Sequence, residues 1–223
     1  MAEKRINVFL FMTLLVGTVV YQIVGGKTVQ LSTSSMFVLM GVVNLIFAVK
    51  HRKKNLKFYI SMAMALALCM LGDAMLRIDF VLGAATFATG HLGFLISYYF
   101  LQKAKKWDFI IGGILFGLVG SFIGFCPLLV FSDAYMKWVS LAYAFIISMM
   151  VGKAVSNYMS DKKKSRLFMA IGSGMFFFSD FMLLCNWFME TGSITRKLCM
   201  MTYFPALGVI ALGVLISLHE NDK

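Results

Sequence analysis

Eight long apolar runs, at residues 6–24, 31–49, 58–76, 80–101, 109–130, 138–155, 167–189 and 198–218, leave this chain few ways to fold. About 20 consecutive apolar residues cross a bilayer as a helix, which pairs every backbone N–H and C=O within the segment where no water can reach them. A β-barrel would instead need short segments of alternating polarity, and these runs are continuous. A soluble domain would need far more polar surface than a 223-residue chain that is 60% hydrophobic and 14% charged can offer. The expected fold class is therefore all-α: a polytopic membrane helical bundle with eight transmembrane helices, forming one integral membrane domain over residues 1–223. The second run is the weakest, because it opens on the polar LSTSS. The first follows MAEKR and is too long for the apolar core of a cleaved leader, so it reads as a retained helix.

The net charge of +11 points toward nucleic acid until its distribution is considered. With eight spans, alternate connections fall on opposite sides of the membrane. One side collects Lys4 and Arg5, KHRKKNLK, KAKK, Lys153 with DKKKSR, and Lys223, which is 16 of the 21 Lys and Arg residues. The other holds Lys27, Arg77, Lys137, Arg196 and Lys197. This asymmetry places both termini on the cytoplasmic side of a cell membrane, with the basic loops near anionic headgroups and no nucleic-acid partner. Cys69, Cys126, Cys185 and Cys199 lie in or near apolar runs without a CxxC pair, so they read as buried thiols rather than disulfides or metal ligands.

Within this apolar chain, two short phrases stand out. LGDAML at 71–76 and SDFML at 179–183 each set an aspartate inside a span, in the third and the seventh. The other acidic residues, Asp108, Glu190 and Asp222 among them, fall in loops, at span ends or at the termini. An ionisable group in a span costs roughly 2.5–3.5 kcal/mol on insertion scales, so it faces the bundle interior and carries function by default. The spacing of the two phrases suggests two four-helix repeats with spans 3 and 7 equivalent. Asp73 has Arg77 one turn on, a candidate i,i+4 ion-pair partner. Asp180 has no basic residue within a turn, and Ser179 and Asn186 are its polar neighbours. A carboxyl taken out of water favours its neutral form, the form a general acid needs.

In the fourth span Phe80, Gly83, Phe87, His91, Phe94 and Tyr98 recur at steps of three or four and form one helical stripe. At about 1.5 Å rise per residue, Asp73, Asp180, His91 and Tyr203 all fall between the outer face and the midplane. They are expected to line one cavity.

The order G72-D73-A-M-L76, F80-x-x-G83-x-x-x-F87-x-x-x-H91-x-x-F94-x-x-x-Y98, F177-F178-S179-D180-x-x-L183 and M201-T202-Y203-F204 resembles the signature of the lysoplasmalogenase family, YhhN-like integral membrane proteins. It departs from that pattern at Phe94 (usually Tyr), at Leu207 (usually Gln) and in a second span without Lys-Pro. The resemblance implies eight helices and hydrolysis of the vinyl ether bond of lysoplasmalogens. The products are a fatty aldehyde and glycerophosphoethanolamine or -choline. It also implies Asp73 and Asp180 as catalytic residues, with His91 and Tyr203 in the site. The expected partners are a lysophospholipid substrate, water and membrane lipids.

The residues suit that chemistry. Protonating a vinyl ether's terminal carbon gives an oxocarbenium ion, which water then captures, so the site needs a neutral acid and a nearby anion. Two carboxyls in different surroundings meet the same demand in glycosidases. No cofactor and no metal is required. Asp180 is the expected acid, and Asp73, charged beside Arg77, the expected cation stabiliser; the reverse assignment stays open. His91, Tyr203, Arg77 and Asn186 are the expected orienting or binding residues. Buried Asp and His also serve proton relays, so a proton-coupled transporter of small molecules or lipids is the alternative.

Overall fold

A computed structural model of the chain describes residues 2–189 and 191–220; Glu190, Asp222 and Lys223 lie outside them. The described residues form eight helices: α1 (Ala2–Val24), α2 (Lys27–Lys50), α3 (Leu56–Met75), α4 (Phe80–Leu101), α5 (Lys106–Phe125), α6 (Ala134–Asp161), α7 (Lys164–Phe188) and α8 (Ser193–Glu220). All eight are long and apolar enough to cross a membrane. The molecule is inverted in the way a bilayer demands. Phe9, Ile23 and Phe125 face outward, while Asn7, Asn44, Asp73, His91, Lys153 and Asp180 are buried.

Several helices extend past the expected runs, α6 most of all, to Ala134–Asp161, and two boundary shifts have local reasons. α2 begins at Lys27, four residues before the expected run, so LSTSS lies within the helix rather than at its start. α5 stops at Phe125 instead of reaching 130, because Cys126 is extended ahead of Pro127, whose ring disfavours helical geometry in the preceding residue. Asp79 and Asp133 cap α4 and α6, their carboxylates accepting from the N–H groups of Leu82 and Met136 at 2.8 Å.

Asp108 stands at a span end, as expected, but it is buried there rather than exposed. It sits in the first turn of α5, fully buried, and receives Lys153 Nζ at 2.9 Å. Lys153 is correspondingly no loop residue. It lies within α6, also donates to the Lys103 carbonyl at 2.8 Å and sits 4.4 Å from the centre of the Tyr99 ring. This polar knot fastens the start of α5 to α6. Close by, Gly152 meets the α5 backbone so tightly that a Cβ would stand 2.5 Å from the Gly112 nitrogen.

Helix packing follows a four-helix repeat with exchange. α1 packs on α2, α2 on α3, α3 on α4, and α2 on α8; α5 packs on α6, α6 on α7, α7 on α8, and α6 on α4. Two asparagine bonds mark the correspondence. Asn44 of α2 donates to the Ala211 carbonyl of α8 at 2.9 Å, and Asn157 of α6 donates to the Tyr98 carbonyl of α4 at 2.9 Å. Both partners shift by the same 113 residues (44 to 157, 98 to 211). The repeat breaks most clearly at the first helix of each half. α1 also packs along α8, whereas α5 has no comparable packing on α4.

Candidate functional site

Asp73 lies in the last turn of α3, 2% exposed, inside a cage of donors. Ser34 of α2 donates to Oδ2 at 2.5 Å, Tyr203 of α8 donates to Oδ2 at 3.0 Å, and Gln30 of α2 donates to Oδ1 at 3.1 Å. Arg77, in the turn after α3, makes no direct ion pair with Asp73. Its guanidinium donates to Gln30 Oε1, so it reaches the carboxylate through the amide. The expected i,i+4 pair is thus replaced by a relay. Gln30 and Ser34 were not foreseen as site residues. They sit four residues apart on one helix face; Ser34 belongs to the LSTSS stretch that made the second span look weak, and Gln30 immediately precedes it. Those polar groups are what Asp73 needs to be buried.

Asp180 of α7 sits in a second cluster. Tyr143 of α6 donates to Oδ2 at 2.6 Å. His91 of α4 places Nε2 3.0 Å from the same oxygen and 2.8 Å from the Tyr143 hydroxyl. With the phenol proton committed to Asp180, the Nε2–H tautomer of His91 satisfies both contacts, and Nδ1 is left without a partner among the described residues. Oδ1 of Asp180 accepts no hydrogen bond from the described residues. Tyr143 escaped the sequence reading because a tyrosine in an apolar span has no local signal. Its role depends on α6 packing against α4 and α7.

Asp180 and Tyr143 open onto a cleft enclosing about 610 Å³, its open mouth included. α4 contributes Phe80, Ala84 and Phe87; α5 Val119 and Ile123; α6 Val139, Ser140, Tyr143, Ala144 and Ile147; and α7 Phe177, Phe181, Leu183 and Leu184 beside Asp180. The cleft exists because α5 rests on α6 and touches α7 through side chains such as Phe122 on Phe181, with ring centres 5.0 Å apart. All the lining residues belong to the end of the bundle opposite the basic connections.

The expected single cavity is therefore divided. Asp180 lines the cleft, with His91 bonded behind it; Asp73 and Tyr203 lie in the other cluster. Phe87 and Phe176 form the partition. Phe176 is 4.6 Å from the His91 ring and 5.5 Å from the Tyr203 ring, centre to centre, and Phe87 is 5.9 Å from Tyr203. Phe87 also presses on Gly72, where a Cβ would come within 2.8 Å of the ring; any larger residue beside Asp73 would displace this wall. Asn186, near the end of α7, is half-buried and belongs to neither cluster nor to the cleft lining. Cys69, Cys185 and Cys199 are buried free thiols, and Cys126 is half-buried.

A family model described as YhhN family matches residues 28–214, a stretch that contains both aspartate clusters and every cleft residue. Neither the curated proteins nor the solved structures include a match to the chain.

Proposed function

The chain belongs to the YhhN family, to which lysoplasmalogenases belong, and from that premise we propose that it is a membrane hydrolase cleaving the vinyl ether bond of lysoplasmalogens. The products are a fatty aldehyde and glycerophosphoethanolamine or -choline. The observation that carries this reading is a carboxyl in the wall of an apolar cleft, with one oxygen held by two donors and the other unbonded among the described residues. Such a cleft suits an alkenyl chain, and such a carboxyl suits proton delivery to carbon.

Asp180 passes a proton from Oδ1 to the vinyl carbon remote from the ether oxygen, the one that bears the alkyl chain, and the double-bond electron pair forms the new C–H bond. The ether oxygen shares its lone pair with the adjacent carbon, giving the oxocarbenium ion. Water adds to that carbon and returns a proton to the Asp180 carboxylate. The hemiacetal hydroxyl then yields its proton to the glycerol oxygen as the C–O bond breaks, leaving the aldehyde. One water is consumed, and no oxidant or reductant takes part. Tyr143 and His91 hold the carboxyl in position and stabilise the carboxylate that forms when its proton leaves. Asp73 acts from behind Phe87. A negative charge one ring away from the cleft favours the cation without touching it, since charges interact strongly where water is excluded. Tyr203 and the Arg77–Gln30 relay fix that charge, and Asn186 has no part in the scheme.

The basic connections and both termini face the cytoplasm in this proposal, so the cleft lies in the opposite half of the membrane. The test is to offer the purified protein a lysoplasmenyl-ethanolamine and couple aldehyde release to a reductase. Aldehyde is expected from the wild type. Its absence, with solute accumulation driven by a pH gradient in proteoliposomes, would replace the hydrolase by a transporter.

A further inference from the structure

One face of α6 carries polar groups that the hydrolytic scheme leaves unused. The cleft lining is apolar except for Asp180, Tyr143 and Ser140. Asp180 and Tyr143 are bonded to each other, but Ser140 is different. It is 5% exposed, and its hydroxyl has no hydrogen-bond partner among the described residues. Hydroxyls elsewhere in these helices bond the carbonyl one turn back, as Thr18 does to Leu14 and Ser97 to Gly93. Ser148 and Ser156, the other α6 serines without a partner, are not in the cleft lining. A buried hydroxyl that lines a cleft and lacks a partner is a place where a ligand can supply one.

Ser140 stands three residues before Tyr143, about 4.5 Å along the helix axis. Lys137 stands three residues further out, half-buried, with Nζ 3.3 Å from the carbonyl of Gly124, the neighbour of the lining residue Ile123. Moving outward from Asp180, α6 thus presents a phenol, a free hydroxyl and an ammonium. A single-chain alkenyl glycerophospholipid presents the complementary order: the vinyl ether, the hydroxyl on the middle glycerol carbon, and the phosphate.

We infer that Ser140 hydrogen-bonds the free middle hydroxyl of the glycerol and Lys137 binds the phosphate, so that this face of α6 selects single-chain over two-chain ether lipids. The inference rests on the lysoplasmalogen reading. In a two-chain lipid that hydroxyl is acylated, so it has no proton to donate and carries a second chain into the space beside Ser140. The two-chain lipid thus loses one hydrogen bond, leaves a buried polar group unpaired and must also fit its second chain.

The test compares alkenyl-glycerophosphoethanolamine with its analogue bearing hydrogen in place of the middle hydroxyl. Wild type should favour the hydroxyl substrate in kcat/KM by about three- to tenfold, the range of a single neutral hydrogen bond. Ser140→Ala should erase that preference by slowing the hydroxyl substrate alone, Ser140→Thr should keep most of it, and Ser148→Ala should leave both rates unchanged. Lys137→Met should raise KM for the phospholipid but not for phosphate-free alkenylglycerol, with kcat unaltered. If Ser140→Ala slows both substrates equally, or neither, Ser140 does not read the hydroxyl. If Lys137→Met acts equally on substrates with and without phosphate, Lys137 does not bind it. If wild type releases no aldehyde from either lipid, the hydrolase reading itself fails and this inference falls with it.

Discussion

Asp73 and Asp180 occupy the same place in the two halves of the bundle, yet their surroundings differ. Each lies on the third helix of its half. Each accepts from the helix before it, α2 or α6, and from the fourth helix of the opposite half, α8 or α4. Asp73 is closed in by three donors. Asp180 has two, both on one oxygen, and a cleft beyond the other. The difference arises at the first helix of each half. α1 packs on α8 as well as α2, whereas α5 rests on α6 without matching contact to α4. The missing packing of α5 on α4 thus accompanies the change from a sealed carboxylate to one that borders a cleft. Repeated helices supply Asp73 and Asp180 in equivalent places, and a departure from the repeat supplies the cleft beside Asp180.

The comparison breaks most directly at the carboxyls. Asp180→Asn should abolish aldehyde release, lowering kcat by about a thousandfold, within the span typical of a lost general acid. Retained turnover would move the chemistry to Asp73. Tyr143→Phe should cost about ten- to a hundredfold in kcat, since it removes a donor to the charged form of the carboxyl proposed as the acid; an unchanged rate would leave His91 as the only group that matters there. Asp73→Asn should be milder, about tenfold in kcat with KM unaltered, because its charge acts through the Phe87 wall. A loss as deep as that of Asp180→Asn would mean that the two clusters share the reaction. The smallest effect sharpens the symmetry itself. Asn44→Leu and Asn157→Leu should each lower thermal stability in detergent by a similar amount, about 0.5–2 kcal/mol, as interhelical hydrogen bonds in membranes do. Unequal losses would show that the two halves are not held together in the same way.

Much of this was legible in the chain. The apolar runs set the helix number, because each must span lipid alone. LGDAML and SDFML marked the acids, since a carboxylate in a span is costly enough to be noticed in isolation. The stripe through Phe87 and His91 was readable from its period, and the structure buries both residues. Gln30, Ser34, Ser140 and Tyr143 were not legible as site residues. Uncharged hydroxyls and amides are common in membrane helices, and their meaning comes from what a neighbouring helix sets opposite them. Arg77 misled for a related reason. Its i,i+4 spacing allowed a direct pair with Asp73, but Gln30 arrives from α2 and takes the guanidinium instead.

Sequence alone determined that the chain carries eight runs long and apolar enough to cross a membrane, that Asp73 and Asp180 stand inside two of them, and that basic residues alternate unevenly between the connections. Those properties follow from solvation, which each segment experiences separately. Only the tertiary structure decided that the aspartates do not share a cavity, that Tyr143 and His91 belong to Asp180 and Ser34 and Tyr203 to Asp73, and that the cleft opens beside α5. Those properties depend on which helix faces pack together, and packing is settled by the whole bundle at once.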